Sequence, residues 1–330
     1  MISYAIRRVL LIIPTFILVT MIVFLSVRFI PGDVVDLMVA EMSMQMGMGM
    51  DETYEHLSES LGMNVPLHIQ YVRWLGVMPQ KSGDFNGLFQ FDLGKSLWKN
   101  TPVLDEFIDR FPVSLELGII AIITGLLLSV PIGVYSAIRQ DTPTDYVSRT
   151  FAIICISIPG FWIATMVMVY PSIWWGWTPD LKYVPIVVDP VKNLVQFLIP
   201  GSIMGLIMLG SVMRITRTMM LEVLRQDYIR TAWAKGLRER TVVLRHAMKN
   251  ALIPVITIIG MMVPMLIGGT VIIEQIFVLP GIGRFMYEAI ARRDYPIISG
   301  VNVFLASAVL ITNLFVDLAY AWLDPRVRYK

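Results

Sequence analysis

The sequence predicts an all-α integral membrane protein of six transmembrane helices, with a long external loop after helix 1 and a short cytoplasmic helix between helices 4 and 5. Composition points there first. Hydrophobic residues make up 56% of the 330-residue chain and its mean hydropathy is +0.67, more than a soluble domain needs to fill its core. The apolar residues are also grouped into runs of spanning length. Finally, a polar, basic stretch between Leu221 and Pro254 interrupts those runs and reads as two short helices around Gly236.

Crossing a hydrocarbon core of about 30 Å takes roughly 20 apolar residues in a helix. Six stretches qualify: residues 9–29, 113–137, 150–170, 194–213, 252–273 and 297–320. The first follows Arg7 and Arg8, as a secretory signal would. Its apolar run of about 20 residues exceeds a signal core and no small-residue cleavage pattern follows Arg28, so it is read as a retained helix. The chain then divides into residues 1–29 (tail and first helix), 30–112 (external loop region) and 113–330, a five-helix core whose cytoplasmic loop is 214–251. The sole cysteine, Cys155, lies in the third span, so no intrachain disulfide forms.

Orientation follows from where Lys and Arg collect. With the N-terminus inside, Arg139, Arg149, the loop's Arg214, Arg217, Arg225, Arg230, Lys235, Arg238, Arg240, Arg245 and Lys249, and the C-terminal Arg326, Arg328 and Lys330 all fall on the cytoplasmic face. Residues 30–112 are acid-rich, and Trp174, Trp175 and Trp177 sit where an interfacial aromatic belt belongs. Both termini are therefore expected in the cytoplasm.

Helices in lipid associate through close packing and interhelical hydrogen bonds. Ser114, Gly118, Gly125, Ser129 and Gly133 form one such stripe; Gly260, Pro264 and Gly268 recur at four-residue spacing, and Ser157-Ile158-Pro159-Gly160 interrupts the third span. Weakened helices of this kind suit tight packing or a pathway lined by mobile helices, which makes Pro159, Gly160, Gly260, Pro264 and Gly268 candidates for helix breaks or gates. Glu116 and Asp317 are the acidic residues within the spans, both near a span end, where pairing or snorkelling accounts for them. An ion-coupled carrier would place more such groups at membrane depth. Energy is expected to enter from elsewhere.

The chain has no ATP cradle of its own. Gly94-Lys95-Ser96 has the ending of a phosphate loop, but Phe89 stands where the earlier glycine belongs. His56, His68 and His246 lack metal spacing and no nucleophile elbow occurs, so neither catalytic residues nor a resident metal or cofactor is assigned. Methionine at every second position from Met42 to Met50 suits an adaptable apolar contact better than a Cu(I) site. Nothing points to a nucleic acid.

In the polar loop, Leu221, Leu224, Tyr228 and Ala232 recur at helical spacing and predict one amphipathic helix running into Gly236. A second helix, about residues 238–250, then leads past Pro254 into the fifth span. By composition alone the loop suits either a cytoplasmic partner or anionic lipid at the membrane surface.

Asp227-Tyr228-Ile229-Arg230-Thr231-Ala232-Trp233-Ala234-Lys235-Gly236-Leu237, followed by Leu244-Arg245-His246-Ala247-Met248-Lys249-Asn250-Ala251-Leu252-Ile253-Pro254, resembles the signature loop of ATP-binding-cassette importer permeases of the peptide and nickel class. The likeness runs through Arg28-Phe29-Ile30-Pro31-Gly32-Asp33, Ser157-Ile158-Pro159-Gly160-Phe161-Trp162, Leu279-Pro280-Gly281-Ile282-Gly283-Arg284, Arg293-Asp294-Tyr295-Pro296 and Leu323-Asp324-Pro325-Arg326. Within that class the chain is most similar to the first of the two permease subunits, the one with a long loop after helix 1. It departs from the general importer signature, which begins Glu-Ala-Ala and ends Ile-x-Leu-Pro: here Arg230-Thr231-Ala232 and His246-Ala247-Met248-Lys249 stand instead, a variant common in the peptide class.

The resemblance implies a coupling helix over Arg230 to Leu237 that seats in a groove of a cytoplasmic ATPase, with Asp227, Tyr228, Arg230, Thr231, Ala232, Ala234, Lys235, Gly236 and Leu237 as the coupling residues. It implies a second homologous permease, two ATPases that hold ATP and Mg, an external substrate-binding protein, and a bacterial or archaeal cytoplasmic membrane. The acid-rich outer loop, with Trp74, Trp98 and Leu88-Phe89-Gln90-Phe91, suits either a landing surface for that binding protein or a solvated domain that covers the pore mouth. Di- and oligopeptides lead as cargo, with nickel chelates, glutathione-like molecules and oligosaccharides as alternatives. The competing readings are a self-sufficient ion-coupled carrier or channel whose loop binds lipid, and a receptor that transports nothing.

Overall fold

A computed structural model describes residues 2–29, 39, 54, 58, 64–80, 83–268 and 270–323; the side chains of 2–5, 263–268, 316–317 and 319–323 are outside that description. The methionine run Met42–Met50, His56, Asp317 and the C-terminal Arg326, Arg328 and Lys330 therefore lie outside the described residues or side chains.

The chain folds into α1 (Ile2–Arg28), α2 (Leu67–Trp74), a 3₁₀ turn (Leu88–Gln90), α3 (Val103–Ile138), α4 (Pro143–Ser157), α5 (Gly160–Trp175), α6 (Pro190–Leu224) and α7 (Asp227–Ala234). It continues with α8 (Glu239–Thr241), a π-helical segment (Val242–Ala247), α9 (Met248–Gly268), α10 (Val271–Ile276), α11 (Ile282–Ala291) and α12 (Tyr295–Leu323). No strand occurs among the described residues; the nearest approach is one bridge, Lys95 to Pro102.

Among the described residues, five helices have the length and apolarity to cross a membrane, and α4 with α5 make a sixth candidate bent by 89°. The bend falls at Ser157-Ile158-Pro159-Gly160, the interruption expected in the third span, 150–170. Pro159 has no N–H to donate and disfavours helical backbone at Ile158, which is extended at φ −89° and ψ 123°. Other boundaries move as well. The predicted fifth span, 252–273, ends at Gly268, with α10 as a separate short helix. Arg214 and Arg217, assigned to the polar loop, are on α6, which runs on to Leu224.

Two compact units form. One comprises Met1–Ala5, Pro112–Arg284 and Ile311–Lys330, the other Ile6–Phe111 and Phe285–Leu310. In the first, α6 is the central helix, with Phe197, Leu209, Met213 and Met220 fully buried. Its approach to α3 depends on small residues: a Cβ on Gly205 would lie 2.8 Å from the Ala121 carbonyl oxygen and 2.9 Å from the Gly125 nitrogen. Gly125 and Gly133 of the predicted α3 stripe thus serve close packing on α6, a Cβ on Gly133 falling 2.8 Å from the Met213 carbonyl oxygen. In the second unit, Phe107, Phe111 and Phe304 pack as an aromatic cluster, and Phe24, Tyr71 and Trp74 join α1 to α2.

Candidate functional site: the hairpin at α7

The helix predicted as one piece from Leu221 into Gly236 is two helices. The chain leaves α6 at Arg225, passes through extended Gln226 (φ −72°, ψ 148°) and starts again at Asp227. Leu221 and Leu224 had fitted the helical spacing of Tyr228 and Ala232, but they belong to α6 and pack partly buried against the cluster that seats α7. Asp227 in the first turn places negative charge at the positive end of α7.

The other end is closed by backbone geometry. The Gly236 N–H donates to the Trp233 carbonyl (2.9 Å) and the Leu237 N–H reaches back to Ala232 (3.4 Å), the paired bonds of a Schellman cap. Gly236 holds φ +74°, a conformation any Cβ would strain, and the space around it is open. Backbone conformation, and not close packing, is what requires glycine there.

Helix α7 has two faces. Ile229 and Ala232, three residues apart, are buried. They join Val134 and Ala137 of α3, Met220 of α6, Val242, Val243 and Ala247 of the π-helical segment and Ala251 of α9 in one cluster. The ends of two spanning helices and the start of a third are thus held to the hairpin by a shared apolar seat. On the outside, Arg230, Thr231, Trp233, Ala234, Lys235, Gly236 and Leu237 are exposed. Tyr228 is exposed too, yet its hydroxyl accepts from the Asn250 amide at 2.8 Å, which ties α7 to α9. Arg230 and Asp227 approach to 3.4 Å while largely exposed, so that pair adds little stability.

Beside the seat lies a network that sequence reasoning missed. Asp145, completely buried on α4, accepts from Arg217 of α6 at Nε (2.8 Å) and Nη2 (2.7 Å), from the Ser136 hydroxyl of α3, and from the Asp141 backbone N–H (3.1 Å). A bidentate guanidinium pair fixes both partners in one geometry. It locks α4 to α3 and α6, two of the helices that seat the hairpin.

A second buried carboxylate explains the Leu279-Pro280-Gly281-Ile282-Gly283-Arg284 motif. Glu274 of α10 accepts from the Ser114 hydroxyl of α3 (2.6 Å) and from the Arg284 backbone N–H (2.8 Å), while Ser114 also accepts the Ile282 N–H (2.8 Å). The loop wraps the carboxylate so closely that a Cβ on Gly281 would fall 2.3 Å from it. Glu274 and Ser114 thereby occupy free amides at the start of α11.

Of the helix-break candidates, Pro159 and Gly160 sit at the 89° bend, and a Cβ on Gly160 would meet the Ile207 side chain of α6 at 2.2 Å. Gly260 is half-buried on α9. Pro264 and Gly268 lie in the same helix, in the stretch whose side chains are not described. Glu116 of α3 accepts from the fully buried Asn193 of α6 at 3.3 Å, a pairing within the bundle.

Fold and site together define a helical membrane subunit that presents one short, externally polar helix from a seat shared by several spans. The chain belongs to the binding-protein-dependent transport system inner membrane component family, whose model matches residues 129–329, with its N-terminal companion matching residues 1–118. It is similar to the oligopeptide transport system permease protein AppB of Bacillus subtilis (strain 168), 37% identical with both chains covered in full. The dipeptide transport system permease protein DppB of Escherichia coli (strain K12) is 34% identical, again over the whole of both chains. This is a permease subunit of an ABC importer. It is non-catalytic, and ATP hydrolysis belongs to partner subunits.

Proposed function

We propose that this subunit forms half of a peptide pathway across the cytoplasmic membrane of a bacterium or archaeon, with six spans, the α4–α5 pair counted as one, and both termini in the cytoplasm. A second homologous permease supplies the other half, two ATPases bind ATP and Mg, and an external binding protein delivers the peptide. Peptide as cargo rests on the names of the two relatives.

The observation that carries the reading is the two-faced α7. Its inner face, Ile229 and Ala232, is buried in the cluster that joins α3, α6 and α9, while Arg230, Thr231, Trp233 and Lys235 stay outside for a partner. A ligand biases a two-state gate only by binding one state better. ATP, held by the ATPases, does so through α7: a displacement of the hairpin reaches three spans at once because it shares their packing. The bend at Pro159 and Gly160, and Gly260, Pro264 and Gly268 on α9, are where the spans yield. In the expected external loop region, Phe89 and Phe91, 52% and 79% exposed, offer an apolar landing for the binding protein.

The test is peptide uptake by the complex in proteoliposomes. Uptake is expected to stop when hydrolysis is blocked. Gly236→Pro, which cannot adopt φ +74°, is expected to leave hydrolysis running while uptake falls at least about tenfold. Uptake by this chain alone on an ion gradient would refute the reading.

A further inference from the structure

The second unit contains a cavity of about 180 Å³ bounded by the end of α1, α2 and the loop beyond it, and the first turn of α12. An apolar cavity of about 150 Å³ holds a benzene ring, so this one has room for a group the size of one amino-acid residue. Its lining has a definite chemistry. Phe24, Trp74 and Tyr295 contribute aromatic surface, and Arg28 and Asp92 bring one charge of each sign to the same space.

Both charges are positioned. The Arg28 guanidinium lies 5.5 Å from the centre of the Phe24 ring and 5.8 Å from that of Tyr295, which keeps it against the aromatic wall. Its five N–H donors allow it to serve several acceptors at once. The exposed Asp92 carboxylate accepts the Gly94 N–H through Oδ1 at 2.9 Å, a turn that fixes its orientation. The Asp92 backbone N–H donates to the Gly87 carbonyl at 3.0 Å, and the loop before the 3₁₀ turn is closed by the Gln80 side-chain amide, which donates to the Asn86 carbonyl at 2.9 Å.

We propose that this cavity is a binding subsite for a zwitterionic amino acid or the charged ends of a short peptide. The carboxylate goes to Arg28, the ammonium to Asp92, and the side chain packs on Trp74 and Tyr295. The cargo class rests on the reading given under Proposed function; what is added is that the permease itself reads the charged ends.

The experiment is calorimetric titration of alanyl-alanine into the assembled complex in nanodiscs, with no binding protein present. Saturable binding is expected, weakened about tenfold or more for N-acetyl-alanyl-alanine amide and, for the free dipeptide, in Asp92→Asn and Arg28→Gln. Asp92→Asn keeps an oxygen for the Gly94 N–H, and an unchanged melting curve checks its fold. The proposal is overturned if the unaltered complex does not bind, if free and end-blocked peptides bind equally, or if both variants bind like the parent. ATP-driven uptake without this binding would sink the subsite and spare the importer reading; binding without ATP-driven uptake would do the reverse.

Discussion

Asp145 and Glu274 are both fully buried carboxylates in the same unit, yet they are held in different ways. Asp145 is met by a guanidinium, a hydroxyl and a backbone amide; the hydrogen bonds to Glu274 come from the Ser114 hydroxyl and the Arg284 amide inside a tightly wrapped loop. The first arrangement depends on a partner charge. The second depends on chain shape, because the loop must come within bonding distance without a side chain at Gly281. Side-chain charge therefore fixes the helices beside the hairpin, and backbone conformation fixes the α10–α11 corner.

Each arrangement breaks differently. Arg217→Ala leaves Asp145 buried without its cation and is expected to cost about 3–5 kcal/mol, read as a large fall in the melting temperature of the purified complex. Gly281→Ala drives a methyl into the Glu274 carboxylate, at an expected cost of about 1–3 kcal/mol. Ser114→Ala takes one donor from Glu274 and an acceptor from Ile282, at a similar or smaller cost. Combining these last two should give less than the sum of their separate effects, because both act on one carboxylate; full additivity would show that the loop does not depend on it.

A third buried carboxylate, in the other unit, sharpens the contrast through pH. Asp294, 2% exposed, accepts from the Ser96 hydroxyl (2.6 Å) and the Leu97 N–H (3.2 Å). Burial pushes its carboxyl above the ordinary range, against those hydrogen bonds. The folded state therefore holds this proton more tightly than the unfolded state. The stability it contributes is fully present below the usual carboxylate pKa of about 4, and is lost as pH rises through the raised value. Melting curves across that window should show Asp294→Asn flattening this part of the pH dependence, with the parent declining relative to it as pH rises.

The smallest stability effect is expected on the outer face of α7. Arg230→Ala removes a largely exposed pair and should shift stability by less than about 0.5 kcal/mol. If the face is a coupling surface, the ratio of uptake to hydrolysis falls in that variant even so.

The spans were legible because apolar runs of about 20 residues have few other uses. The bend at Ile158 was legible in Pro159-Gly160, since proline acts on its own local backbone. The α7 hairpin was legible as a motif, and the Gly236 cap follows from one residue's conformational freedom. The break at Arg225-Gln226 was not, because Leu221, Leu224, Tyr228 and Ala232 fit a continuous helix equally well. The pairings of Asp145 and Glu274 were not visible either. Asp145 meets an arginine 72 residues away and Glu274 a serine 160 residues away, and no local pattern records such a pairing.

The central claim is that α7 transmits the ATPases' motion to the spans, and cross-linking tests it most directly. With buried Cys155 replaced by serine, Ala234→Cys offers one reactive thiol on the exposed face of α7. In the assembled complex it should cross-link to an ATPase subunit, with a yield that changes when ATP is bound. Labelling of that thiol by an impermeant reagent from outside the cell, or no cross-link to an ATPase with or without nucleotide, would contradict the account.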